Sequence, residues 1–167
     1  MMKKRVFALL LIPMLIASLV ACSSNSDETK GVYVSEPWVR ASEYSDHVGG
    51  MTGVFMNITN NTASTITLIG GTSTFAPMVQ THQVVNGMMS EKPNGIEIKP
   101  GQTVTLEPGG LHVMLMNLTK TIVAGTKIDL TLKFEGTADI TLDGLLAKTI
   151  AAGDESYSPA PMPEPTK

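Results

Sequence analysis

Two proline–glycine turns stand eight residues apart in this chain, and they limit what it can fold into. Lys99-Pro100-Gly101-Gln102 and Glu107-Pro108-Gly109-Gly110 each put Pro at the second turn position and Gly at the third. Pro presets its own φ there, and Gly accepts the positive φ that the third position asks for. Only Thr103 to Leu106 lies between them as a regular segment. The rest of the chain has the same texture. Val32 to Val34, Trp38 to Ala41, Thr52 to Thr59, Ser64 to Ile69, Thr81 to Val85, Ile96 to Ile98, Lys127 to Phe134 and Asp139 to Leu142 are short runs rich in strand formers. No stretch carries the apolar period of a three-turn amphipathic helix. Many short strands with frequent turns predict an all-β fold, an antiparallel β-sandwich or barrel.

The ends of the chain read differently. Lys3, Lys4 and Arg5 precede an apolar run from Val6 to Val20, broken by Pro13. That run is shorter than the roughly 20 residues a membrane-spanning helix needs, so it reads as a cleaved export signal. Leu19-Val20-Ala21-Cys22 has the form of a lipobox. It makes residues 1–22 a lipoprotein signal peptide and Cys22 the lipidated first residue of the mature protein. Ser23 to Lys30 is a polar tether, and Gly31 to Ile150 is the domain. Ala151 to Lys167, with Pro159, Pro161, Pro163 and Pro165, reads as a disordered tail.

Cys22 is the only cysteine. The mature domain therefore has no disulfide partner, no thiolate for a blue-copper or Zn–Cys site, and no Cys nucleophile. Nucleic acid is also excluded as a partner. Loss of Lys3, Lys4 and Arg5 leaves nine basic against fifteen acidic residues, a formal charge of −6, and no basic patch survives.

The chemistry concentrates in Leu111-His112-Val113-Met114-Leu115-Met116. Alternate side chains of a strand point to opposite faces. Leu111, Val113 and Leu115 then form a core stripe, and His112, Met114 and Met116 form the other, solvent-facing one. An imidazole with thioethers is a donor set for a soft metal, Cu(I) above all. A thioether neither titrates nor forms disulfides, which suits an oxidising compartment. His82 stands before Asn86-Gly87, a hairpin turn signal, and Met88-Met89 follows it. A hairpin there returns Met88 or Met89 to His82. The site then draws a His and a Met from each of two segments. Met116 is an accessory ligand or a hydrophobic collar, Met56 is core, Met78 lies roughly 13 Å along the strand from His82, and His47 belongs to a polar surface loop.

These residues resemble the periplasmic copper chaperone family written PCuAC. The resemblance rests on Gly95-Ile96-Glu97-Ile98, Pro100-Gly101, Leu106 to Gly110 and the His112-Val113-Met114-Leu115-Met116 strand, with Trp38 to Ala41 and Ile58-Thr59-Asn60 earlier. It spans Val32 to Leu142. It implies a cupredoxin-like, Greek-key β-sandwich that is not an enzyme. It also implies a site that holds Cu(I), with Cu(II) as a second state, and passes it to a copper centre of cytochrome oxidase or to a thiol-bearing copper chaperone. The family's pattern is a His, a Met eleven residues on, and His-x-Met after a further twenty-one. His82, His112 and Met114 fit it. The position for the first Met falls on Ser90, so the hairpin is shortened, and Met89 is the ligand expected there, with Met88 as accessory. The resemblance further implies an exposed site outside the cytoplasm, and with the lipobox at Cys22 the protein is expected to be anchored by lipid to the outer face of the cell membrane or in the periplasm.

Two other classes compete. A structural or adhesive immunoglobulin-like lipoprotein explains the strands and tether but leaves the paired His/Met clusters without a purpose. An enzyme lacks its machinery: Asp46-His47 is too little for a hydrolase, and a zinc site would need a third ligand near His82 and His112, where Glu91 alone is available.

Overall fold

The computed structural model describes residues 31–42 and 50–150, with the backbone of Ser158 and Pro159. The export signal, Cys22, the tether, His47 and nearly all of the Pro-rich tail lie outside the described residues. The strand-forming segments become β1 (Val32–Arg40), β2 (Thr52–Asn60), β3 (Ile66–Thr72), β4 (Met78–Val85), β5 (Met88–Glu91), β6 (Ile96–Ile98), β7 (Thr103–Leu106), β8 (His112–Met116), β9 (Lys127–Glu135) and β10 (Ile140–Lys148), and a two-residue β11 (Ser158–Pro159) follows outside them. There is no helix among the described residues.

The three turn signals form as their residues require. Gln102 N–H donates to Lys99 O at 3.0 Å and Gly110 N–H to Glu107 O at 3.1 Å. The third-position residues Gly101 and Gly109 have φ of 73° and 76°, the type II geometry. Asn86 and Gly87 both take positive φ, 53° and 74°, as a tight two-residue hairpin turn does.

One path of pairing runs β11-β5-β4-β8-β2-β1-β10-β9-β3-β6, and β7 joins β2 beside β8. The long strand β2 organises this. Its first half, Thr52 to Val54, pairs with β8, and its second half, Met56 to Thr59, pairs with β7 on the same edge. The expectation of a wholly antiparallel sheet is corrected here. Trp38, Val39 and Arg40 run parallel to Leu146, Ala147 and Lys148, and the two-residue β11 runs parallel to β5. No turn joins the first strand to the tenth, so no hairpin fixes their sense.

β1 also departs from its sequence pattern, which Pro37 divides in two. The structure keeps one strand across it, with the pairing shifted between Ser35 and Trp38. Glu36 takes φ 53° there. A bulge absorbs a residue that cannot donate to the ladder.

The core is a single apolar cluster fed by most strands. Val39, Val54, Ile58, Leu68, Ile98, Leu115, Leu130 and Leu132 are fully or almost fully buried in it, as is Met56. Asn60, completely buried, is satisfied throughout: its amide donates to Ser64 O and Ile98 O, and its oxygen accepts from Thr62 N–H. Such a network fixes one arrangement of the strand ends around it.

Candidate metal centre

β8 lies between β4 and β2, so its two faces have different fates. Val113 and Leu115 enter the apolar core, and Leu111 packs against it. Met114 is equally buried, 2% exposed, yet lies outside that cluster with Met89 and Phe55. This second face carries the His/Met set. His82 and His112 are directly opposed across β4 and β8, with ring centroids 5.7 Å apart. Gln80 opposes Met114 on the same ladder, and Gly53 of β2 opposes it from the other side.

The Asn86-Gly87 hairpin decides between Met88 and Met89 by register. Met89 pairs with Val84, two residues from His82 and on its face, while Met88 pairs with Val85 on the opposite face. Met89 is 6% exposed and Met88 51%. Met89 Sδ reaches His112 Nε2 at 3.3 Å. The structure thus gathers His82, Met89, His112 and Met114 on one face and leaves Met88 outside. Met116 shares the face, one step further along β8. Glu91 lies across from His82 but is exposed. No group of three or more His, Cys, Asp or Glu capable of holding a metal exists among the described residues, so no hard-donor zinc site is available there.

The hydrogen bonds fix which ring nitrogen of each histidine carries the proton. Gly110 O lies 3.1 Å from His112 Nδ1. A carbonyl only accepts, so Nδ1 carries the proton and Nε2 keeps its lone pair. That lone pair faces the Met89 sulfur with no proton between them. At bond lengths of about 2.0 Å to nitrogen and 2.3 Å to sulfur, one ion bound to both would subtend about 100° across their 3.3 Å separation. Gln80 Oε1 stands 3.4 Å from His82 Nε2, which leaves Nδ1 as the unprotonated atom. His82 Nδ1 is buried with no hydrogen-bond partner among the described residues. Leaving such an atom unsatisfied costs about 1–3 kcal/mol, and a metal ion is one partner that would remove the cost.

Burial also holds both rings neutral. His82 is pushed down to about 4, first by desolvation and then by the nearby His112. His112 is lowered by desolvation, against an opposing pull from the Gly110 carbonyl. An unfolded chain takes up these protons near pH 6.5, before the folded one does. Stability is therefore complete above pH 6.5 and lost as pH falls toward 4. Urea midpoints of the metal-free protein measured from pH 7 to 4 should fall across that window. A flat profile would show that His82 is not held neutral by the fold.

Two features were not foreseen. The centre is not exposed: His112 is 0% and His82 6% accessible. Phe55 supplies part of the cover, its ring 6.2 Å from His112 and 4.6 Å from Trp38. Phe55 lies on the face of β2 opposite to Val54, Met56 and Ile58, and a period-two reading of Gly53, Phe55 and Asn57 would have signalled it. A Cβ at Gly53 would stand 2.6 Å from Phe55 Cζ, so the ring lies over this bare backbone. Lys148 Nζ sits 5.7 Å from the Trp38 ring centre.

Comparison with known proteins places this geometry. Residues 32–144 match the family described as LpqE-like lipoproteins. The chain is 40% identical over 111 residues to Lxx21020 of Leifsonia xyli subsp. xyli (strain CTCB07), which bears a lipoprotein name. That match spans 64% of each protein, so the chain covers just under two thirds of this relative's length. Among solved structures it is similar to the copper-bound PCuAC domain from PmoF2, with a TM-score of 0.58 and 27% identity over 70% of this chain and 92% of that one. It is also similar to the Cu(I) form of DR1885 from Deinococcus radiodurans in solution, with a TM-score of 0.54 and 27% identity over 72% and 77% of the two chains. The fold is thus the all-β fold of PCuAC domains, and by sequence the chain belongs to the LpqE-like lipoprotein family.

Proposed function

We propose that this protein is an extracytoplasmic copper chaperone, lipid-anchored through Cys22, that carries Cu(I) on His82, Met89, His112 and Met114. One observation carries the reading: His112 Nε2 and Met89 Sδ, both lone-pair donors, face each other at 3.3 Å in a buried centre. The two thioethers stabilise the soft monovalent ion and do little for a harder divalent one, which the two imidazoles alone would leave short of ligands. Nothing in the donor set must lose a proton above pH 6.5, since both rings are already neutral. The ion would therefore load and leave without proton release. We place the domain in the cupredoxin-like, Greek-key class of sandwiches on the same resemblance.

Delivery is a ligand exchange. Burial alters how it starts. A partner ligand cannot approach an ion that the fold encloses until one donor moves. Met89 stands on the shortest strand of the centre, the four-residue β5 beyond a two-residue turn, and is the donor with least backbone to displace. The receiving group would be a copper centre of cytochrome oxidase or the thiols of a second chaperone. The lipid anchor would hold the carrier at the membrane surface and raise the effective concentration of the encounter.

Competition of Cu(I) and Zn(II) against a chelator tests the reading. The expected result is one tightly held Cu(I) under reducing conditions and weak Zn(II). Zn(II) bound as well as Cu(I) would overturn it.

A further inference from the structure

The ladder between β4 and β8 continues past the centre. Its same-face pairs run His82 with His112, Gln80 with Met114, and Met78 with Met116. Successive pairs are about 6.5–7 Å apart along the strands. Exposure rises along the series: His112 and Met114 are buried, Met116 is half-buried and Met78 is 41% exposed. The outermost pair consists of two thioethers directly across from each other.

We propose that Met78 and Met116 form a second, outer Cu(I) site, at which the ion is taken up before it steps through Met114 to the buried centre. This deepens the copper-carrier reading and rests on it. Directly opposed residues have Cβ atoms about 4.5–5.5 Å apart. Each Met has three rotatable bonds, so both sulfurs can close on one ion at about 2.3 Å, the length of a metal–thiolate bond to zinc. Separation along one strand puts Met78 out of reach of His82, but pairing across the ladder gives it Met116. The outer site has two donors against four, so it holds the ion more weakly and passes it inward. No electron moves: Cu(I) exchanges one thioether for the next. The arrangement also answers the enclosure of the inner centre, since an exposed thioether pair gives the ion a landing point that the buried imidazoles do not.

The test uses the protein with methyl-labelled methionines, titrated with Cu(I) under reducing conditions and followed by NMR. The first equivalent should move the Met89 and Met114 methyl signals and the His82 and His112 ring signals. The second should move those of Met78 and Met116. In the M78L/M116L double variant the second event should be lost and the first retained, with slower loading from a Cu(I)–chelator donor. Leu preserves size and apolar character, and Met78 is partly exposed, so the variant keeps its fold. Retention of the second event in the double variant, or its absence from the unaltered protein, would overturn the outer site. Absence of the first event with the second retained would instead overturn the buried chaperone centre and leave the outer pair standing.

Discussion

Replacing Met89 with Leu is expected to weaken Cu(I) binding by at least roughly a hundredfold, since disturbing groups merely supporting a ligand already costs about 10–100-fold. The same swap at Met88 should leave affinity unchanged. The two residues are neighbours, equal in size and chemistry, and differ only in register. Met89 pairs with Val84 and meets His112, whereas Met88 pairs with Val85 and faces solvent. Met114→Leu should behave as Met89→Leu does. None of the three should cost more than about 1.5 kcal/mol of folding stability, because Leu for Met conserves volume. Chelator competition gives the affinities and urea unfolding the stabilities. Loss of binding with Met88→Leu and not with Met89→Leu would mean the hairpin is registered one residue differently. Unchanged binding in all three would return these methionines to packing and leave the structural lipoprotein as the better account.

Gly70→Ala should destabilise the fold by about 2–6 kcal/mol, the sum of backbone strain and forced overpacking. Gly70 has φ 141°, and a Cβ there would stand 2.7 Å from Val79 O. The atom it meets is backbone of β4, which cannot rotate away, and β4 is the strand that carries His82. Gly101→Ala is the control: φ is 73° and nothing lies within 4 Å of the added carbon. It should cost only the left-handed penalty, about 1–2 kcal/mol. Thermal or urea unfolding of both variants decides the matter. Equal losses would show that β3 and β4 are not as tightly apposed as the structure has them.

What was legible in the sequence is what short-range chemistry determines. Pro100-Gly101, Pro108-Gly109 and Asn86-Gly87 declare their turns because φ is a property of the residue itself. The split of β8 into Val113 and Leu115 on one side and His112 and Met114 on the other follows from the pleat alone. A site shared by His82 and His112 was read from donor chemistry and from the resemblance, which also favoured Met89, and the register of β4 with β5 is what sets Met89 on the face of His82 and Met88 on the other. The parallel pairing of β1 with β10 was not legible, because nothing in Trp38 to Arg40 names a partner in Leu146 to Lys148. The burial of the centre was hidden for the same reason. Its cover includes Phe55, itself packed near Trp38 and far from His112 in the chain, and an alternating strand looks identical whether its polar face meets water or another ring.

The joining of β1 to β10 has a consequence for the order of events after synthesis. Trp38 has no partner on that edge until Leu146 exists, and pairings of such long sequence separation form slowly, on the millisecond-to-second scale. The domain cannot close while β10 is still in the ribosome. For a chain exported as we propose, threading a channel from its N-terminus, that delay would be useful. The polypeptide would lack its closing partner for as long as β10 is unmade, and would stay transportable through that time.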